Sequence, residues 1–191
     1  MGYEVSLRRE SGETRIEVEL TLYGRGGLEG GTGLGFFDHM LEQLAFYSGM
    51  DLRVWAEWDL AHHLIEDLMY LLGKAVAEAL GDRRGIRRFG WSAVPMDESL
   101  VLTSVDLGGR VYSSVDFSLQ GQVEGVDVSD LAHGVESLAR GLGATVHLLV
   151  LRRGNPHHVV EAGFKSLGMS LRTALERTGG EVRSTKGVLD L

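Results

Sequence analysis

The chain has 191 residues and no cysteine, with 43% hydrophobic and 24% charged residues and a formal charge of −8 from 19 basic and 27 acidic side chains. That length suits one domain or two fused halves sharing a core, the missing cysteines exclude disulfides and thiolate metal sites, and the acidic balance argues against a nucleic-acid binder. No apolar run approaches the roughly 18 residues of a membrane span, and Glu4, Arg8, Arg9 and Glu10 leave no room for a signal-peptide core, so a cytoplasmic protein with no membrane partner is expected.

Residues 4–9 and 14–23 alternate apolar and polar side chains, which predicts two half-buried strands joined by a turn at Ser11-Gly12. The glycine-rich stretch 24–35 fits a hairpin and a short strand, and it lacks the Gly-Lys-Ser/Thr that closes a phosphate loop. Residues 36–48 predict a helix ended by Gly49, 52–58 a strand, and 62–80 a long helix ended by Gly81. Gly73 inside that helix costs about 1 kcal/mol relative to alanine, which close approach of another helix would explain.

The second half repeats the order. Strands are expected at 86–94, 99–107 and 111–119, then a helix at 127–142, a strand at 144–152 and a helix at 156–177 opened by Pro156. A short polar tail ends the chain. The class is therefore α+β, with internally duplicated β-β-(β)-α-β-α halves at 1–85 and 86–191, each an antiparallel sheet with two helices on one face.

The duplication is most explicit in the histidines. His62-His63-x-x-Glu66 recurs as His157-His158-x-x-Glu161, and upstream His39 matches His133, so six of the seven histidines fall in one repeat frame. In each motif the first His and the Glu are i and i+4 on one helical face, while the middle His is rotated by about 100°. Each motif can thus chelate one metal and point its middle His at another. One set would be His62, Glu66, His133 and His158, the other His157, Glu161, His39 and His63. Three imidazoles and a carboxylate suit Mn, Fe, Zn or Ni more than Ca or Mg.

These motifs, together with Asp38-His39-Met40-Leu41-Glu42-Gln43, Arg88-Phe89-Gly90, Pro95-Met96-Asp97-Glu98, Gly109-Arg110-x-Tyr112, Asn155-x-His157 and Ser184-Thr185-Lys186-Gly187, run in the order found in the imidazoleglycerol-phosphate dehydratase family of histidine biosynthesis, which the chain resembles. The resemblance implies a ribosomal protein S5 domain 2-like fold, a homo-oligomer of 24 subunits with sites at subunit interfaces, and two Mn²⁺ per active site. It implies loss of water from D-erythro-imidazole glycerol phosphate to give imidazole acetol phosphate. Metal ligands would be His39, His62, His63, Glu66, His133, His157, His158 and Glu161, and several of these (His39, His62, His63, Glu66) would also meet substrate. Arg88, Arg110, Ser184 and Lys186 would hold substrate and its phosphate, and Glu13, Glu66, Glu161 and His63 would serve catalysis, with Glu13 near the reacting carbons. Two divalent ions facing one imidazole would acidify its ring N–H and help expel the neighbouring hydroxyl. Ala61 and Leu64 stand where the family usually has Asp and Thr, and the loop that precedes the motif, 57–61, is shorter than usual. Two other readings of the same residues are a non-catalytic metal-assembled oligomer and a dinuclear metal hydrolase. The basic residues argue against the scaffold, because a purely structural protein has no need of a phosphate cradle beside its metals.

Overall fold

The structure, a computed structural model, describes residues 3–191. In chain order it contains β1 (Glu4–Glu10), β2 (Thr14–Thr21), β3 (Leu28–Gly31), α1 (Gly35–Ser48), β4 (Asp51–Trp58), α2 (Ala61–Leu80), β5 (Phe89–Met96), β6 (Ser99–Asp106), β7 (Tyr112–Asp116), β8 (Gln122–Val123), β9 (Val126–Asp127), α3 (Val128–Leu142), β10 (Thr145–Arg152) and α4 (Pro156–Leu175). The alternation that predicted β2 is realised directly, with Thr14, Ile16, Val18 and Leu20 buried and the residues between them exposed.

The two main sheets have orders β1-β2-β4-β3 and β5-β6-β10-β7. Both are mixed rather than antiparallel, which corrects the expectation: β3 runs parallel to β4, and β7 parallel to β10. The cause is the connection. A helix, α1 or α3, lies between the two strands and carries the chain back before the next strand begins, and such a crossover yields parallel neighbours. Strand β5 starts at Phe89, not at 86, because Arg88 takes φ 75° and Ile86 bridges instead to Arg177. That bridge also stops α4 at Leu175, before the predicted 177. The short β8–β9 hairpin was not expected.

Helices α1 and α2 lie against the first sheet, α3 and α4 against the second, and the helices meet across the halves as the pairs α1/α4 and α2/α3. One hydrophobic cluster runs through residues of both halves. Gly73 and Gly168 explain how closely the helices approach. A Cβ at Gly73 would strike the Leu138 carbonyl and the Leu142 N–H of α3, and one at Gly168 would press within 3.0 Å of the Leu44 carbonyl and Tyr47 of α1. Close helix approach thus occurs at matched positions of the two repeats.

The outward sheet faces differ in chemistry. On the first, Arg53 joins Glu19 and Glu29, and Arg15 joins Glu10 and Glu57. The second presents Phe89, Trp91 and Leu149 to solvent, Trp91 at 71% exposure.

Candidate functional site

Each His-His-x-x-Glu motif opens a helix. α2 begins at Ala61, so His62 and His63 lie in its first turn; α4 begins at Pro156, after Asn155 accepts a hydrogen bond from the His157 N–H. The first triad is His62 and Glu66 with His133 from α3. Nε2 of His133 lies 3.4 Å from Oε1 of Glu66, Nε2 of His62 lies 3.9 Å from Oε2, and the two rings stack at 5.4 Å and 12°. The second is His157 and Glu161 with His39 from α1. Oε2 of Glu161 is 3.1 Å from Nε2 of His157 and 3.3 Å from Nε2 of His39. In each triad the three donor atoms lie within 4.8 Å of one another, a spacing that could hold a metal ion.

The donors fit such an ion chemically. Arg140 donates to Oε1 of Glu66 at 2.8 Å and, with His133, holds its carboxyl below the usual carboxylate range. Burial alone would raise the Glu161 carboxyl, but hydrogen bonds from Lys165, at 2.7 Å, and His39 outweigh it and keep the pKa low. Both glutamates are therefore anions ready to bind a cation, and the Nε2 atoms of four histidines face them.

The fourth member expected in each set is elsewhere in this chain. His158 turns its Nδ1 toward Glu98, at 3.3 Å, rather than to His62, Glu66 and His133. His63 turns its Nδ1 to Asp59 at 2.8 Å and places Nε2 3.9 Å from Glu13, away from His39, His157 and Glu161. The reason is the 100° step between successive helical residues, which swings the middle His off the triad face. The Asp59 contact raises the His63 pKa and lowers that of Asp59.

Arg88, Arg110, Ser184 and Lys186 line one hollow of about 310 Å³, together with Phe89, Arg183 and Asp190. Arg88 is engaged within it: Nε and Nη2 donate to the two oxygens of Asp106 at 2.6 and 3.0 Å, and Nη1 donates to the Arg183 carbonyl at 2.7 Å. Arg110, by contrast, is exposed and only loosely near Asp190, at 3.7 Å. The hollow lies at the C-terminal ends of the helices. The Arg87 and Arg88 N–H groups donate to the Glu176 and Ala174 carbonyls at the end of α4. Beyond α2, Arg83 reaches the carbonyls of Leu107 and Gly143 at 2.9 Å, next to Gly108 of the hollow. The triads stand at the opposite, N-terminal ends. At about 1.5 Å per residue the helical path from His157 to Ala174, or from His62 to Leu80, is about 26 Å.

Sequence reading missed Asp59, Asp130, Arg140 and Asp106. Asp59 is four residues before His63, a spacing that helical geometry flags once the motif is noticed; Arg140 and Asp106 act across packed elements and leave no local signal.

A family model described as imidazoleglycerol-phosphate dehydratase matches residues 32–171. The chain belongs to the imidazoleglycerol-phosphate dehydratase family. Similar relatives include imidazoleglycerol-phosphate dehydratases of Clostridium botulinum (strain Kyoto / Type A2), 43% identical over 187 residues with 95% of each chain covered, and of Metallosphaera sedula, 43% identical over 186 residues with 95% of this chain and 96% of the relative covered. The crystal structure of IGPD from Pyrococcus furiosus superposes with a TM-score of 0.86 at 46% identity, covering 96% of this chain and all of that one. The Staphylococcus aureus enzyme gives 0.83 at 31% identity, with coverage of 93% and 100%. The family-matched segment contains both triads and the two cradle arginines, while Glu13, Ser184 and Lys186 lie outside it. No helix among the described residues is long and apolar enough to cross a membrane.

Proposed function

We propose that this family member removes water from D-erythro-imidazole glycerol phosphate to form imidazole acetol phosphate, a step of histidine biosynthesis in the cytoplasm. The observation that carries the reading is the pairing of two imidazole-carboxylate triads with a basic hollow. The substrate carries a ring that metals bind and a phosphate that arginine and lysine bind.

His39, His62, Glu66, His133, His157 and Glu161 would hold two Mn²⁺ ions per active site, with His63 and His158 completing the coordination. When bound, the ions polarise the imidazole ring and lower the pKa of its N–H. Glu13, placed beside His63, moves the carbon-bound proton. Arg110 and Lys186 take the phosphate, Ser184 adds a hydroxyl donor, and Arg88, locked on Asp106, shapes the hollow and adds its charge.

The separation of about 26 Å along the helices is far longer than a three-carbon phosphate bearing one ring. A working site therefore draws its metal ligands and its phosphate cradle from different chains, and the middle histidines His63 and His158, turned off their own triads, serve neighbouring ones. A homo-oligomer, the 24-subunit shell implied by the resemblance, supplies those neighbours. The exposed Phe89, Trp91 and Leu149 give an apolar sheet face for assembly. We propose 1–85 and 86–191 as the repeat halves of each subunit.

Assaying water loss from imidazole glycerol phosphate with and without Mn²⁺ tests the reading. Metal-dependent formation of the ketone phosphate is expected, and no product at any metal concentration would refute it. A general hydrolase would instead release inorganic phosphate.

A further inference from the structure

Both ring nitrogens of five of the six repeated histidines, and Nδ1 of His158, are spoken for in a regular way. Nε2 faces the triad glutamate in His39, His62, His133 and His157, and faces Glu13 in His63. Nδ1 faces a second carboxylate in all six: Glu42 at 3.5 Å from His39, Asp130 at 2.8 Å from His62, Asp59 at 2.8 Å from His63, Glu136 at 3.6 Å from His133, Glu124 at 3.4 Å from His157 and Glu98 at 3.3 Å from His158. Two of these contacts, at 2.8 Å, are full charge-assisted hydrogen bonds; the other four are longer than such bonds run.

A carboxylate only accepts, so the proton sits on Nδ1 of His62 and His63 and the lone pair is left on Nε2. We propose that Asp130 and Asp59 are positioning residues that fix the tautomer and ring orientation of His62 and His63, presenting Nε2 to a divalent cation. The inference rests on the metal reading above and assigns two residues to it.

Placement supports the assignment. The His62 side chain is 48% exposed, so packing alone does not hold its ring. Asp130 lies in the first turn of α3, three residues before His133, so one helix delivers to the first triad both a ligand and the anchor for the neighbouring ligand. That couples the two repeat halves at the metal. Asp59 lies in the short loop between β4 and α2, where its backbone N–H also donates to the Glu13 carbonyl at 3.1 Å. The same residue thereby ties His63 to the turn that carries Glu13. Outer carboxylates of this kind typically cost 10–100-fold in metal affinity when removed.

The test is Mn²⁺ titration, followed by electron paramagnetic resonance, of the intact oligomer carrying Asp130→Ala, Asp59→Ala, or the corresponding asparagine changes. Each alanine variant is expected to bind Mn²⁺ roughly 10–100-fold more weakly. Each asparagine variant, whose amide oxygen still accepts from Nδ1–H, should recover much of the loss, and metal-free melting should be unchanged. Wild-type affinity in both alanine variants, or equal losses for alanine and asparagine, overturns the assignment. His62→Ala is the separate arm: if it leaves Mn²⁺ binding intact, the metal reading itself fails.

Discussion

His133 of the second half presents Nε2 3.4 Å from the Oε1 of Glu66 in the first half. A histidine and a glutamate 67 positions apart thus meet only because α3 packs on α2. Removing either should therefore empty one metal position and spare the other. Glu66→Gln, which keeps the shape but loses the anion, is expected to halve the bound Mn²⁺ per chain in elemental analysis and to abolish turnover. Full metal content in that variant would contradict the triad.

The α2/α3 contact itself depends on Gly73, whose missing Cβ leaves room for the Leu138 carbonyl. Gly73→Ala should force the helices apart, at a cost of about 1–3 kcal/mol. For a chain of this size that lowers the melting temperature by roughly 2–4 °C per kcal/mol. Calorimetry checks it, and an unchanged or raised melting point would show the contact to be looser than the backbone geometry requires.

In the cradle, Arg110 is exposed whereas Arg88 is tied to Asp106, so the two arginines should fail differently. Arg110→Ala and Lys186→Ala should each lose a charge-assisted contact of about 1.5–3 kcal/mol, which is roughly 10- to 100-fold in kcat/KM. Metal content should be unchanged. Arg88→Ala leaves a mostly buried Asp106 without its partner and should destabilise the fold by about 3 kcal/mol. Urea denaturation alongside steady-state kinetics separates the two behaviours.

Asp51 accepts hydrogen bonds from the Gly27 and Arg25 N–H groups at 2.9 and 2.8 Å. These, led by Gly27 and opposed by partial burial, hold its carboxyl below the ordinary value of 3.8. A depressed folded pKa contributes stability that is fully present above the unfolded value and disappears as pH falls through the folded one. The stability gap between wild type and Asp51→Asn should accordingly be widest near neutral pH and narrow as the pH falls below the ordinary aspartate range. Denaturation at several pH values tests the sign, and a gap that widened in acid would reverse it.

The legible and illegible parts of this molecule divide along physical lines. His62, Glu66, His157 and Glu161 could be grouped by i, i+4 spacing because that geometry is local to a helix. Gly73 advertised a close helix contact for the same reason. Which helix supplies the third ligand is a tertiary fact, yet the matched repeat positions put His133 with His62 and Glu66 and His39 with His157 and Glu161, and the structure brings those side chains together. His63 and His158 were assigned across the repeats, yet in one chain they face Asp59 and Glu98. Strand β3, Leu28-Glu29-Gly30-Gly31, has too little side chain to alternate, and its parallel pairing with β4 follows from the α1 crossover rather than from any pattern in those residues.

On the proposed reading, a working site takes its metal triads from one subunit and its phosphate cradle from another. Co-expressing Glu161→Gln chains with chains carrying both Arg110→Ala and Lys186→Ala addresses it most directly. Each variant alone should be inactive or nearly so, and mixed oligomers should regain a measurable fraction of wild-type turnover, because some sites pair an intact triad with an intact cradle. Mixed oligomers that are demonstrated by native mass spectrometry and remain as inactive as either parent would contradict the account.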